Sequence, residues 1–123
     1  MPITQRAWRD ATVIHVDDVF TYRNRKDFSS VVAAFRASGG RHLIVDLHEA
    51  TYMDSSALGL LALTSQQLSV EERWISLVGP QGTVKQVLEM ANIDKMIAVF
   101  PTEDAAAAAR AAEWNDTSRS GCI

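Results

Sequence analysis

A chain of 123 residues fits one domain and can bury roughly two-thirds of the surface its unfolded form exposes, which excludes any need for disulfide or metal staples. Hydrophobic residues make up 47% and charged residues 22%, ordinary globular values. A net charge of -3, with Arg23, Arg25 and Lys26 as the densest basic group, excludes the electrostatic footprint of a nucleic-acid binder.

A short strand is predicted about Gln5 to Arg9, with Trp8 as its inward residue. "ATVIHV" (Ala11 to Val16) is β-branched and apolar, a second strand, followed by the polar residues Asp17 and Asp18. Phe28, Val31, Val32 and Phe35 fall at i, i+3, i+4 and i+7, the spacing of one helical face, and predict a helix from about Lys26 to Ser38 stopped by Gly39 and Gly40. "RHLIVDL" (Arg41 to Leu47) is a near-continuous apolar run, the pattern of a strand covered on both faces. A second helix follows from about Ser55 to Val70, then a buried strand at Arg73 to Gly79. After Pro80, Val84, Val87, Leu88 and Ala91 mark a third helix. "KMIAVF" (Lys95 to Phe100) reads as the next strand, closed by Pro101. The last helix runs from about Glu103 to Glu113 with Thr102 as N-cap. Strands alternating with helices imply an α/β fold with a mixed, mostly parallel sheet of four to five strands and about four helices. Residues 1–114 are expected to form one domain, and residues 115–123 a flexible C-terminal tail.

Local chemistry exceeds the needs of folding in "YMDSSALGLL" (Tyr52 to Leu61). Asp54, Ser55 and Ser56 at a helix start first read as a cap, because a side-chain oxygen there accepts from an otherwise unpaired backbone N–H. The small Ala57 and Gly59 let another backbone approach the first turn, Leu58 and Leu61 supply a core-facing stripe, and Met53 offers an adaptable apolar contact. Phosphorylation of a serine here adds roughly -1.5 to -2 charges at pH 7, which the helix N-terminus tolerates. A partner covering the same turn would meet a desolvated dianion beside Asp54, and like charges across an interface cost several kcal/mol. That is a switch without refolding.

"HLIVDLHEATYMDSSALGLLAL" resembles the centre of a STAS domain, the fold of bacterial anti-sigma factor antagonists, and "GPQGTVKQVLEMANIDKMIAVFPTEDAA" resembles the second half of that family; together the likeness covers about Val13 to Ala112. In the family, a serine kinase of the GHKL type that doubles as anti-sigma protein phosphorylates the first serine after the Asp, and a PP2C-type phosphatase restores it. The unphosphorylated antagonist captures the kinase. The resemblance therefore implies Ser55 as phosphoacceptor, with Ser56 as second choice; the bare chemistry does not separate them. Met53, Asp54, Ser56, Ala57 and Leu58 are the implied partner contacts. The family often has Gly where this chain has Ala57, and "DSSALG" is similar to a subfamily linked to biofilm and motility control. The family's loop before the first helix often carries Gly-x-x-Asp; here "DVFT" puts Asp18 and Thr21 in those places, which puts kinase docking in question. Thr21, Tyr22, Arg23 and Asn24 remain the best second contact patch, because Tyr and Arg are favoured at interfaces. The alternative implied by the resemblance is a non-switching subunit of an ABC-type membrane transport complex, gripping its ATPase with the same surface.

No enzyme is indicated. "MDSSA" lacks the G-x-S-x-G elbow of a hydrolase, and no phosphate-binding glycine loop is present. His15, His42 and His48 lack metal-site spacing, so neither metal nor cofactor is expected. Asp46 and Glu49 read as turn-bonding or solvated carboxylates. The lone Cys122 permits no internal disulfide and suits a reducing cytoplasm, the expected location. "MPITQRAWRD" has no apolar core for a signal peptide, and the apolar run Ala57 to Leu63 falls far short of the roughly 20 residues of a bilayer span.

Overall fold

A computed structural model of the chain describes residues 3–8 and 11–109. The expected inward side chain of Trp8, the strand end at Arg9, the helix end at Glu113 and the tail 115–123 lie outside the described residues. The strands are β1 (Ile3–Trp8), β2 (Ala11–Val16), β3 (Asp18–Phe20), β4 (His42–Asp46), β5 (Ala50–Met53), β6 (Trp74–Val78) and β7 (Ala98–Phe100). The helices are α1 (Arg25–Ala37), α2 (Ser55–Val70), α3 (Gly82–Met90), the single turn α4 (Ile93–Met96) and α5 over residues 103–109.

Five strands form the main sheet in the order β1-β2-β4-β6-β7. β1 pairs antiparallel with β2, Ile3 opposite Val16, and the remaining pairs are parallel. This is the mixed, mostly parallel sheet predicted from the alternation of elements. All five residues of β4 are buried, as its unbroken apolar run requires of a strand covered on both faces. Alternation along the strand sends Leu43 and Val45 to one face and Ile44 to the other. The larger core joins Leu43, Val45 and Leu77 to Phe28 and Phe35 of α1, Ala57, Leu61 and Leu68 of α2, and Val84 and Leu88 of α3. The smaller joins Ala11, Val13, Ile44 and Val78 to Ala106 of α5. The sheet thus separates α1, α2 and α3 from α5. A fully buried Phe or Leu contributes about 1.5–3 kcal/mol by burial, so the larger core carries most of the stability.

α1 buries Phe28, Val32 and Phe35 and ends where the glycines predict. Gly39 takes a left-handed φ of 79°, Gly39 N–H donates to Arg36 O at 3.1 Å, and Gly40 N–H to Phe35 O at 3.0 Å. These two bonds satisfy carbonyls left over at the helix end. A Cβ at Gly40 would lie 2.5 Å from the Phe35 ring, so this position needs a residue without one. α5 begins as expected, with Ala105 N–H donating to Thr102 Oγ1 at 3.1 Å.

Two features depart from expectation. β3 and β5 form a second, parallel two-stranded sheet in segments read as turn and approach to the helix. With three and four residues, these strands are too short to display a period. The strand expected over Lys95 to Phe100 covers only Ala98–Phe100: Asn92, at a left-handed φ of 60°, turns the chain into α4 and buries Ile93, so Lys95 and Met96 are helical.

Candidate functional site

The start of α2 is built on one carboxylate. Asp54 is extended (φ -100°, ψ 178°), the usual conformation of a residue that caps a helix. Its Oδ1 accepts the Ala57 N–H at 2.9 Å, and its Oδ2 accepts the Tyr22 N–H at 3.1 Å. One side chain therefore closes the helix and fastens it to a segment 32 residues earlier. Beneath the turn, Met53 and Ala57 are 2% and 1% exposed, and Leu61 is fully buried. Above it, Ser55 and Ser56 are both exposed. Apolar residues at positions 53, 57, 61 and 68 pull one stripe into the core, which turns the two hydroxyls to the surface.

The second segment is a 3-10 turn, Tyr22–Asn24, leading into α1. Thr21 Oγ1 accepts from Arg23 N–H at 3.3 Å, and Asn24 Oδ1 accepts from Thr21 N–H at 2.9 Å, a reciprocal capping box. Tyr22 is 58% exposed, and the Arg25 guanidinium lies 4.3 Å over its ring while donating to its hydroxyl at 2.8 Å. The two departures from the Gly-x-x-Asp loop are explained here. Asp18 sits at a left-handed φ of 65°, where glycine is easiest but Asp is among the residues best tolerated; its backbone and side-chain oxygens accept from Thr51 Oγ1 at 3.0 and 3.1 Å. Thr21 serves as an N-cap, a role Thr shares with Asp.

The candidate residues divide by exposure. Ser55, Ser56, Tyr22 and Arg23 are at the surface, and Asp54, Leu58 and Thr21 are half-buried. Met53, Ala57 and Asn24 are not surface contacts: Met53 and Ala57 pack into the larger core, and Asn24, 6% exposed, is consumed by its capping bond. Two exposed neighbours were absent from the expected patch: Tyr52 is 49% exposed and Leu63 is 51% exposed. Gly59, expected to admit a partner's backbone, faces outward with open space where a Cβ would stand. Tyr52 becomes legible only once β5 is known to be a strand, since Met53 is buried and its neighbour must point the other way. α2 itself contains no charged residue. Two clefts, of about 410 and 550 Å³, are lined by neither Ser55 nor Ser56.

A second group of ionisable residues lies across the sheet, under α5. His15 Nε2 is 3.5 Å from Asp46 Oδ2, and His15 Nδ1 is 3.6 Å from Asp17 Oδ1. Glu103 pairs with Arg6. Hydrogen bonding to Asp46, together with burial, holds the Glu103 carboxyl above the ordinary carboxylate range, against the pull of Arg6. Asp46 is 6% exposed and its Oδ1 accepts the His48 N–H at 2.9 Å, so turn bonding rather than solvation describes it. His42 is buried and shares a 2.9 Å hydrogen bond with Ser76, while His48 is exposed.

Known proteins share this architecture. The family model described as "STAS domain" matches residues 2–106. A STAS-domain containing protein of Pseudomonas aeruginosa is 30% identical over 86 residues, 70% of this chain and 84% of that protein. Among solved structures, an anti-sigma factor antagonist from Mycobacterium paratuberculosis superposes with a TM-score of 0.79 at 20% identity, covering 87% of this chain and 91% of that one. The Bacillus cell fate determinant SpoIIAA in its phosphorylated form gives 0.67 at 18%, covering 85% and 95%. A sulfate transporter family protein from Wolinella succinogenes gives 0.69 at 11%, covering 80% and 83%. Likeness at these identities shows a shared fold, and the family match over most of the chain shows the relationship: this protein belongs to the STAS domain family.

Proposed function

We propose that this protein is a phospho-regulated anti-sigma factor antagonist, binding a GHKL-type serine kinase that acts as anti-sigma protein while the Ser55 hydroxyl is free and releasing it once Ser55 is phosphorylated. A PP2C-type phosphatase would reset the switch. The observation that carries this reading is the exposed hydroxyl pair on a capped helix start: Ser55 and Ser56 are accessible to an enzyme while Asp54, Met53 and Ala57 hold the turn from below. A phosphate at Ser55 would meet the N-terminal amides of α2, so the domain itself has little reason to rearrange. The cost falls on whatever covers the turn. Likeness to anti-sigma factor antagonists, one of them solved in a phosphorylated form, supports the same assignment.

The test is to incubate the full chain with ATP and its cognate kinase and locate the phosphate by mass spectrometry. Phosphate on Ser55, lost in Ser55→Ala, is expected. Absence of phosphate from both serines, with partner affinity unchanged by Ser55→Asp, would remove the switch.

Likeness to a sulfate transporter family protein supports a second reading, a STAS subunit that holds the ATPase of a membrane transport complex without switching. Among the described residues no helix is long and apolar enough to cross a membrane. Co-purification with a nucleotide-binding transport subunit, insensitive to change at Ser55, would select this second reading.

A further inference from the structure

The sheet face under α5 holds, besides its apolar residues, the buried His42–Ser76 pair and one line of ionisable groups. Beside Val13, Ile44, Val78 and Ala106, four elements each contribute one ionisable side chain: Arg6 from β1, His15 from β2, Asp46 from β4 and Glu103 from α5. The Ser55 surface makes no use of them, because α2 packs on the other side of the sheet. One donor atom each from His15, Asp46 and Glu103 lies within 4.8 Å of the others. The 3.5 Å from His15 Nε2 to Asp46 Oδ2 exceeds an ordinary hydrogen bond. It matches the roughly 3.4 Å between two ligands of a tetrahedral ion with bonds of about 2.0–2.2 Å.

One atom facing away from this point is held as the outer partner of a metal ligand is held. The His48 N–H fixes Asp46 Oδ1 at 2.9 Å and leaves Oδ2 for the trio. Asp17 Oδ1 stands 3.6 Å behind His15 Nδ1, beyond a direct hydrogen bond. A shift of a few tenths of an ångström on metal binding would let this carboxylate take the N–H and orient the imidazole. The trio also differs from a solvated acidic patch, since one donor is nitrogen and the Asp46 side chain is only 9% exposed. The cleft of about 410 Å³ opens on Asp46 and Glu103, leaving room for water as the remaining ligand.

We propose that His15, Asp46 and Glu103 form a site for a borderline divalent transition cation, Zn²⁺ or Mn²⁺, completed by water from the adjoining cleft. One imidazole nitrogen with two carboxylate oxygens suits these ions, whereas Mg²⁺ and Ca²⁺ prefer oxygen donors alone. The Arg6 guanidinium supplies the positive charge beside Glu103 in the metal-free protein, and the incoming ion displaces it. Once bound, the ion ties α5 to β2 and β4.

Calorimetric titration of the full chain with ZnCl₂ and MnCl₂, in a Cys122→Ser background that removes the one thiol, tests the site. A one-to-one isotherm is expected, with a melting temperature that rises as zinc is added and little competition from Mg²⁺. His15→Ala and Glu103→Gln alter half-buried side chains outside both apolar clusters and leave the core intact. Each is expected to weaken binding by more than the roughly tenfold that loss of an outer partner costs, and Asp17→Asn by about that tenfold. Arg6→Gln is expected to tighten binding, because it removes the competing cation. Absence of saturable binding of either ion, or binding unchanged in both His15→Ala and Glu103→Gln, would overturn the proposal.

Discussion

The two polar regions of this protein are assembled in opposite ways. At the start of α2, the five consecutive residues Met53 to Ala57 supply strand end, cap, hydroxyls and core anchor, and Asp54 joins them to an earlier segment by accepting the Tyr22 N–H and donating its own N–H to Phe20 O at 3.3 Å. Under α5, Arg6, His15, Asp46 and Glu103 each come from a different element, and sheet register alone brings His15 opposite Asp46. The first region keeps its reactive groups in solvent over a dry support; the second keeps its carboxylates mostly out of water among charged partners. A surface made locally can be modified without disturbing the fold. A cluster made by the fold brings together groups that lie far apart in the chain.

The largest effect expected is on that first surface. Ser55→Asp should lower affinity for the partner kinase by about a hundredfold, or about 2.8 kcal/mol, while the unfolding midpoint stays near wild type; this is read by calorimetric titration beside urea denaturation. A comparable loss of stability in the same variant would break the contrast. Asp54→Ala removes both the cap and the tie to Tyr22, and about 1–2 kcal/mol of stability should go with it, measured by denaturant unfolding. Asp54→Asn keeps an acceptor and should recover most of that loss.

Gly59 sharpens the contrast at lower amplitude. A methyl group at this position would have nothing within 4 Å, and glycine inside a helix is destabilising by roughly 0.5–1 kcal/mol relative to alanine. Gly59→Ala should therefore raise the unfolding free energy by about that amount. If a partner backbone lies across this turn, the same variant binds it less well, so stability and affinity move in opposite directions. The smallest effect belongs to the end of α2, where Glu71 pairs with Arg36 and Arg73. The hydrogen bond from Arg36 is the main reason the Glu71 pKa is lowered. A carboxylate with a depressed folded-state pKa contributes stability above its unfolded pKa and loses it as pH falls through the folded value. Glu71→Gln should accordingly flatten the acid limb of the stability profile below about pH 4.5, with the pairing exposed enough for salt to weaken it.

How much of this was legible follows the same division. The strand–helix alternation, the helix stop at Gly39 and Gly40, and the cap at Thr102 were readable because the signals lie within a few adjacent residues. The helix start at Asp54 was readable for the same reason. That Met53, Ala57 and Asn24 turn inward was not, because the direction of a side chain on a single turn depends on where the core lies. β3 and β5 were hidden by their shortness, and Tyr52 with them. His15, Asp46 and Glu103 stand in elements separated by dozens of residues, and no spacing rule along the chain reports a meeting made by parallel strand register and a crossing helix.

The shared carboxylate of Asp54 has one more consequence. Because its two oxygens hold amides of separate segments, the Tyr22 ring and the Ser55 hydroxyl are set at a fixed interval when the chain folds. Any visitor touching both is reading a preset ruler, and need not freeze two independent loops on arrival. The ordering entropy has already been settled during folding, so even a small contact area there can be selective.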